Sequence, residues 1–386
     1  MAIANGEVAW QPNQQLKQFE KDLEFLPLIF AQSNDYLAVH EQPSQIFGTW
    51  LNQIFPDLPK CIDRQILKYW TNEHGQYPDE LHPWGWSPAM HHQLRYLMKY
   101  TNREFRNSPV GEWKTHQRDF YSRKTALKLL EDICQKHPHS GLLPDNYHPV
   151  IATTVQEVET QFGQWPQLVL KAPWSSSGRG IQILRYGYLN QSNRQWIKSV
   201  IKQQGYLMVE PLLNKQADFS LHYHITENGI DYLGFGRFET NANGQYVKNI
   251  IKPGSEFIEQ IITTDQLAEW LKQTMVDYQV HKKYRGYAGV DLMLVEINNQ
   301  LVIHPLVEVN WRYNMGLIAL KLEKIIHPKS KGTFMIHMEP KTAFKVVHKE
   351  FVEKHPLKFK EHLPSSGYFP LSDPQKAKSG AYVILH

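Results

Sequence analysis

Cysteine is scarce in this chain of 386 residues, which contains only Cys61 and Cys134. The two cysteines lie far apart in the sequence and have no metal-ligand spacing, so a disulfide-stabilised scaffold and a cysteine-based zinc site are both excluded. No stretch approaches 18 consecutive apolar residues, and the amino terminus lacks the basic and apolar segments of a secretion signal. We therefore expect a cytoplasmic protein without a membrane segment.

An excess of charge of one sign is also missing. The chain has 42 Lys and Arg residues against 38 Asp and Glu residues, a net charge of +4. This balance is too even for a dedicated nucleic-acid or membrane-surface binder. The apolar content of 41% excludes a mainly disordered chain, and the length allows two or three domains.

Two common functional motifs are absent as well. The chain has no Gly-x₄-Gly-Lys-Ser/Thr segment, so any nucleotide site must differ from the P-loop. None of the 19 histidines falls into a His-Glu-x₂-His arrangement, so a zinc hydrolase is not indicated.

Changes of pattern divide the chain into four segments. Residues 1–111 are rich in aromatic residues and proline and carry no chemistry that can be interpreted. Residues 112–204 alternate strands and helices, whereas residues 205–330 consist mostly of strands with turn signals between them. Residues 331–386 mix short strands with a Lys- and His-rich stretch, which we interpret as a solvated face. This organisation indicates an α/β or α+β protein and excludes a helical bundle.

Periodicity and turn signals predict the main elements. The predicted helices are Ser44 to Phe55, Ser87 to Tyr100, one that follows Ser122, one that follows Thr154, Ser192 to Gln203, and Thr264 to about Lys282. The predicted strands are His148 to Ala152, Leu168 to Ala172, Ile181 to Leu184, Tyr206 to Glu210, Phe219 to Ile225, Tyr232 to Phe238, and a hairpin that turns at Asn298 and Asn299.

Lys171 is a charged residue within the apolar strand Leu168 to Ala172. Burying an ammonium group costs several kcal/mol unless an anion meets it, so we expect an anion beside Lys171. The segment that follows, Pro173 to Gly180, has the sequence PWSSSGRG. Such a loop can direct backbone N–H groups and hydroxyls toward one anion, although it could also be a serine-rich solvent turn. Together with Lys171, it favours phosphate binding.

The second polar cluster lies on the late hairpin. Glu308, Asn310 and Arg312 alternate with apolar residues, so they share one face of a strand. A turn at Asn298 and Asn299 places Asp291 opposite Leu306 and diagonal to Glu308, roughly 7 to 8 Å away. Two carboxylates and an amide oxygen suit Mg²⁺, which prefers oxygen ligands, with Mn²⁺ as an alternative. A solvated edge strand would show the same alternation.

Two further polar residues, His222 and His224, alternate on the strand Phe219 to Ile225. His222 is a candidate substrate residue if this strand lines the same cleft. Isolated histidines on a strand are more often buried polar residues with satisfied hydrogen bonds.

These residues, taken in order, resemble the ATP-grasp superfamily, which includes D-alanine:D-alanine ligase, biotin carboxylase and glutathione synthetase. The resemblance spans about Tyr121 to Leu320. It implies an α+β ATP-grasp fold, in which two α/β subdomains hold ATP between them, here preceded by an extra amino-terminal region. It also implies the following site residues. The ATP-binding residues are Lys124, Lys171, Ser175, Ser176, Ser177, Gly178, Gly180, Glu210, Leu212 and Asp218, the metal ligands are Asp291, Glu308 and Asn310, and the catalytic residues are Arg312 and Arg179.

The function that this resemblance implies is an ATP- and Mg²⁺-dependent ligase. Such an enzyme activates a carboxylate as an acyl-phosphate, which an amine or a thiol then attacks. A small-molecule kinase and a nucleotide-binding regulatory protein are the alternatives. We expect small-molecule carboxylate and amine substrates, and the sequence leaves their identity and the oligomeric state open.

Overall fold

The computed structural model describes residues 3, 6–72, 75–175, 180–338 and 342–386. Helices and mainly antiparallel sheets both contribute to this part of the chain, so the predicted α+β class is confirmed. The α-helices are α1 (Gln14–Asp22), α2 (Gln45–Ile54), α3 (Pro88–Met98), α4 (Arg103–Asn107), α5 (Gln117–Phe120), α6 (Arg123–Lys136), α7 (Val155–Thr160), α8 (Gln191–Gln204), α9 (Glu256–Glu259), α10 (Thr264–Asp277), α11 (Met315–Leu322) and α12 (Phe344–Lys354). The strands are β1 (Tyr36–Val39), β2 (Lys60–Asp63), β3 (Val150–Ala152), β4 (Leu168–Lys171), β5 (Ile181–Leu184), β6 (Leu207–Pro211), β7 (Asn214–Thr226), β8 (Gly229–Thr240), β9 (Tyr246–Ile251), β10 (Gly286–Ile297), β11 (Gln300–Asn310), β12 (Gly332–His337), β13 (Lys358–Lys360), β14 (Leu363–Pro370) and β15 (Gly380–Leu385).

Most predicted helices are present, and several begin at the expected side chain. The hydroxyls of Ser44 and Ser87 accept hydrogen bonds from the first turns of α2 and α3. Ser122 precedes α6 as predicted, but its hydroxyl donates to the carbonyl of Asp119 instead of capping the helix. Within the described ranges, no helix is long and apolar enough to cross a membrane.

The smaller sheet has the order β3–β6–β4–β5 and is antiparallel throughout. Leu168 and Leu170 of β4 are buried in a core with residues of α7 and α8, so the helices cover one face. Because side chains alternate along a strand, Lys171 belongs to the opposite face. That face is available to a ligand site.

Among the described residues, the larger sheet has nine strands in the order β11–β10–β7–β8–β9–β12–β15–β14–β13. One face of β7 is apolar, and its Phe219 and Leu221 pack into a core with residues of α6 and α10. The other face carries Asp218, Ser220 and His222. The predicted meander is confirmed by the antiparallel pairs β7–β8 and β8–β9. The predicted hairpin turn is confirmed because Ile297 pairs with Gln300 and because Asn298 and Asn299 both have positive φ, as in a type I′ turn.

The predicted register of this hairpin is wrong at its far end. Near the turn, Met293 pairs with His304, as the centred turn predicts. A bulge then shifts the ladder, so Asp291 pairs with Glu308 directly and not with Leu306. Pro305 lies in the bulge, and proline, which has no N–H to donate to a ladder, is tolerated there. The two carboxylates are therefore closer than a diagonal pair.

Hydrophobic cores cross the predicted segment boundaries. Phe25 and Leu51 share a core with Phe369 and Val383, so the first and last segments pack together. The hydroxyl of Ser44 also donates to Asp373 at 2.8 Å. Strand β6 lies beyond residue 204 but belongs to the smaller sheet. The boundaries at 111, 204 and 330 stay predictions, and the cores show that these segments are not independent packing units.

Candidate functional site

Arg123 at the start of α6 connects the two sheets. One guanidinium nitrogen, Nη1, donates to the carbonyl of Ala172 and to Oγ of Ser175, both at 2.7 Å. The other, Nη2, donates to Oε2 of Glu308 on β11, also at 2.7 Å. Arg123 is buried, and its Nε has no hydrogen-bond partner. A single cation therefore joins the loop after β4 to the polar face of the hairpin.

Lys171 meets an anion, as its place in an apolar strand predicts. Its Nζ lies 2.5 Å from Oε2 of Glu210 on the neighbouring strand β6, and both side chains are largely buried. Val169 is the cross-strand partner of Glu210, so Lys171 and Glu210 are diagonal neighbours on one face. The anion in this structure is thus the protein's own carboxylate.

His304 on β11 lies near Lys171, although the sequence gave no signal for it. It is 3% exposed, and its Nδ1 has no hydrogen-bond partner. Burial, and secondarily the positive charge of Lys171, lowers the pKa of His304 to about 3. The imidazole is therefore neutral near pH 7. Lys171 on β4 is therefore near enough to His304 on β11 for its charge to act on the imidazole.

The structure brings together the predicted metal-site residues. Asp291 faces Glu308 across the β10–β11 ladder. The Asn310 amide donates to Oδ2 of Asp291 at 2.8 Å, and Nη2 of Arg312 donates to Oδ1 of Asn310 at 2.7 Å. These four side chains form one connected polar cluster at the end of the hairpin.

The pKa of Asp291 is raised to about 8, first because burial disfavours its charged form and second because Glu308 is close. The charge of Arg312 offsets this rise only in part, because its guanidinium bonds Asn310, whereas Arg123 bonds Glu308. A bound cation would reverse this effect, because it favours the ionised carboxylates.

The loop after β4 is only partly described. Ser176, Ser177, Gly178 and Arg179 lie outside the described residues, so their predicted roles stay predictions. At the base of the loop, Ala172 donates its N–H to the carbonyl of Gly180 at 2.8 Å. A Cβ atom at Gly180 would lie within 3.0 Å of the Ser175 side chain, so glycine allows the loop ends to close together.

Two of the predicted ATP-binding residues, Leu212 and Asp218, are already engaged with protein groups. The N–H of Leu212 donates to the carbonyl of Gln167 at 3.0 Å, so it is not free to hold a base. Asp218 lies on the polar face of β7, where its Oδ2 is 2.5 Å from Nζ of Lys215 and accepts a hydrogen bond from Thr240 at 2.7 Å. Both contacts would have to rearrange if these residues hold a nucleotide.

The structure does not bring Lys124 into the cluster, and its predicted ATP-binding role stays a prediction. Its side chain is exposed, whereas the adjacent Arg123 is buried against Glu308. The two neighbours at a helix start point in different directions, and spacing alone does not distinguish them. The sequence analysis named Lys124 and missed Arg123, the neighbour that bonds Glu308.

His222 is not accessible to a substrate, which corrects its predicted role. It is 1% exposed, and its Nε2 lies 2.9 Å from Oγ of Ser220. Burial lowers the pKa of His222 to about 3, so the ring is neutral. His224 stacks on Tyr287 with ring centroids 4.6 Å apart.

The donor set limits which metal fits. In the part of the chain that the structure describes, no group of three or more His, Cys, Asp and Glu side chains could hold a metal ion. Asp291 and Glu308 with the oxygen of Asn310 offer two carboxylates and an amide. That set fits a hard cation that takes its other ligands from phosphate and water, as Mg²⁺ commonly does.

This chain is similar to several solved structures of other proteins. No family model and no curated protein matches it. The solved structures that align with it include N5-carboxyaminoimidazole synthetase from Staphylococcus aureus complexed with ADP, at 14% identity and a TM-score of 0.44, covering 76% of this chain and 73% of that one. They also include the biotin carboxylase–β,γ-ATP complex from Campylobacter jejuni, at 10% identity and a TM-score of 0.49, covering 95% and 84% of the two chains. A third is phosphoribosylamine–glycine ligase from Thermotoga maritima, at 15% identity and a TM-score of 0.39, covering 56% and 61%.

These are distant likenesses. The three TM-scores are below 0.5 and the identities are 10 to 15%. Any functional argument must therefore rest on the geometry of the charged side chains and not on these likenesses.

Proposed function

We propose that this chain is an ATP-grasp enzyme that uses ATP and Mg²⁺ to join a small-molecule carboxylate to an amine. The observation that carries the proposal is the convergence of two sheets on one charged cleft. Lys171 on the smaller sheet and Arg123 at the start of α6 supply positive charge, and the paired acids Asp291 and Glu308 on the larger sheet supply negative charge. Phosphates with a divalent cation are complementary to such a cleft, because they match both charges at once.

The proposed metal ligands are Asp291, Glu308 and the side-chain oxygen of Asn310. When bound there, Mg²⁺ would offset negative charge on the phosphates during transfer. Asn310 donates its amide N–H to Asp291, which leaves its Oδ1 for other partners. Arg312 now occupies that oxygen. A ligand that releases Arg312 from Asn310 would free both groups for their proposed roles.

The basic side chains would bind the transferred group. Arg123 holds Ser175 at the base of the loop and also Glu308, so it lies between the loop and the acids. We infer that Arg123, with Lys171, contacts the phosphates, and that Arg312 stabilises charge that develops on the reacting carboxylate. The γ-phosphoryl group passes to a carboxylate oxygen as its bond to ADP breaks. The amine then attacks the acyl carbon and expels phosphate.

Arg123 and Lys124 provide a matched test of this geometry. Arg123→Gln should raise the Kd of the ATP analogue AMP-PNP by about tenfold, because a buried charge that faces the phosphates is lost. Lys124→Gln should change it by less than about twofold, because that side chain is exposed. Calorimetric titration measures both. Equal effects of the two substitutions would contradict the assignment of Arg123.

ADP release tests the reaction class. The chain is incubated with ATP, Mg²⁺ and a panel of amino acids and small carboxylic acids, singly and in pairs. A ligase should release stoichiometric ADP only when a carboxylate and an amine are both present. Stoichiometric ADP with one substrate alone would show a kinase, and ADP release that persists in chelator would contradict the metal site.

A further inference from the structure

His222 is enclosed by three glycines from three different elements. They are Gly236 on β8, Gly289 on β10 and Gly316 in the first turn of α11. A Cβ atom at Gly236 or Gly289 would lie 3.1 Å from a ring nitrogen of His222, and one at Gly316 would lie within 3.0 Å of it. None of the three has a positive φ. Glycine is therefore needed at these positions because any side chain would crowd the imidazole ring, and not because the backbone conformation requires it.

The enclosed ring has one satisfied and one unsatisfied nitrogen. Its Nε2 is 2.9 Å from Oγ of Ser220, which is itself 2% exposed. Its Nδ1 is buried without a hydrogen-bond partner. An apolar side chain of similar size would avoid the cost of an unpaired buried nitrogen, which is about 1 to 3 kcal/mol. A polar ring at this position is thus a stability cost that packing alone does not explain.

The neighbours of His222 lie next to two residues of the proposed catalytic cluster, Asp291 and Arg312. Ser220 is the direct cross-strand partner of Asp291 on the same face of the sheet. On the other side, the ring and the Asn314 side chain border the same space, because a Cβ atom at Gly289 would lie 3.1 Å from Nδ1 of His222 and 2.5 Å from the Asn314 amide nitrogen. Asn314 precedes α11 and caps this helix by accepting from the N–H of Leu317 at 3.1 Å. The amide of Asn314 also donates to the carbonyl of Arg312 at 3.4 Å. One buried ring therefore lies between Ser220, the cross-strand partner of Asp291, and Asn314, whose amide bonds Arg312.

We propose that His222 is a positioning residue: through Ser220 and the Asn314 turn it fixes Asp291 and Arg312 in one geometry. The proposal rests on the proposed function, because Asp291 and Arg312 are assigned there. Side chains that orient metal ligands typically change metal affinity by about 10- to 100-fold when they are lost. The expected consequence concerns the metal-dependent part of nucleotide binding and not the nucleotide contacts themselves.

The experiment measures the Kd of AMP-PNP in EDTA and again in Mg²⁺, together with the midpoint of thermal unfolding. His222→Leu fills the space without a nitrogen, and His222→Gln keeps a polar group that can reach Ser220. For His222→Leu we expect a Kd in EDTA within about twofold of the parent value. The factor by which Mg²⁺ lowers the Kd, called the Mg²⁺ gain, should be about tenfold smaller than in the parent. His222→Gln should recover most of that gain. Ser220→Ala should reproduce the leucine variant, and the double variant should lose no more than either single one.

A full Mg²⁺ gain in His222→Leu would overturn the positioning role, as would a glutamine variant that behaves like leucine. If the parent itself shows no gain from Mg²⁺, the proposed function fails and the positioning role falls with it. A packing control is independent of nucleotide. Gly316→Ala should lower the unfolding midpoint in the parent but lower it less in a His222→Ala background, because the ring that the methyl group would strike is absent.

Discussion

Buried charges are compensated differently on the smaller and the larger sheet. On the smaller sheet, Lys171 and Glu210 form a closed ion pair in which each charge has its partner. On the larger sheet, Asp291 and Glu308 face each other, and Arg123 bonds Glu308, whereas Asp291 accepts a hydrogen bond from the neutral amide of Asn310. The pKa of Asp291 is accordingly raised to about 8, through burial and then the charge of Glu308. The difference indicates where a ligand's positive charge is needed, which is at the acids and not at the lysine.

The largest expected effect is on ATP turnover and follows from removing one of the two acidic charges on the larger sheet. Glu308→Gln keeps the size of the side chain but removes the charge that would hold a divalent cation. ATP turnover should fall by at least about 100-fold, because phosphoryl transfer depends on the metal to offset charge. ADP release measures the loss.

Glu296→Gln is the matched control for this substitution. Glu296 lies on the same hairpin, where its carboxylate accepts hydrogen bonds from Asn214 and Gln216 and not from cleft residues. It should keep turnover within about twofold of the parent. Full activity in Glu308→Gln would remove Glu308 from the metal site.

The next largest effect follows from removing Lys171 from its ion pair with Glu210 on the smaller sheet. Lys171→Met should raise the Kd of AMP-PNP by about tenfold, because a charge that faces the phosphates is lost. It should also lower the free energy of unfolding by about 3 kcal/mol, because Glu210 is left buried without a partner. Denaturant unfolding and calorimetry measure the two quantities.

The double variant Lys171→Met/Glu210→Gln separates stability from binding. It should regain most of the lost stability, because no unpaired charge remains, but it should not regain affinity. If affinity returned with stability, Lys171 would act only through the fold.

Much of this cleft could be predicted because its signals are local. An isolated lysine in an apolar strand and alternating polar residues on a hairpin can be recognised within a few positions of sequence, and the structure places Lys171 and Glu308 as such patterns suggest. The turn at Asn298 and Asn299 was predictable for the same reason. The distant comparisons add no residue roles to these assignments.

The errors arise where geometry depends on contacts far away in sequence. The bulge at Pro305 changes which residue faces Asp291, and a count from the turn assumes a regular ladder. The choice between Arg123 and Lys124 depends on how α6 packs against two sheets. The burial of His222 depends on Gly316, which lies 94 positions further along the sequence.

A third prediction concerns the pH dependence of stability on the Lys171 side. The pKa of His304 is about 3 in the folded chain, through burial and the charge of Lys171, and the ordinary value is 6.5. Below about pH 6.5 the unfolded chain takes up a proton that the folded chain does not, so stability falls as pH decreases. The loss of unfolding free energy that His304 causes should reach about 2 kcal/mol at pH 5. His304→Gln should therefore show a flatter stability curve between pH 7 and pH 5, measured by denaturant unfolding, and parallel curves would contradict the buried neutral ring.

The smallest expected effect tests the loop base that joins the two sides. Gly180→Ala places a methyl group within 3.0 Å of the Ser175 side chain, to which Arg123 also bonds. Because the serine must move, the Kd of AMP-PNP should rise by about threefold. Gly163→Ala is the matched control, since a Cβ atom there meets nothing within 4 Å. If both substitutions left the Kd unchanged, the contact between Arg123 and Ser175 would not contribute to nucleotide binding, and the link between the two sides would reduce to the ion pair of Arg123 with Glu308.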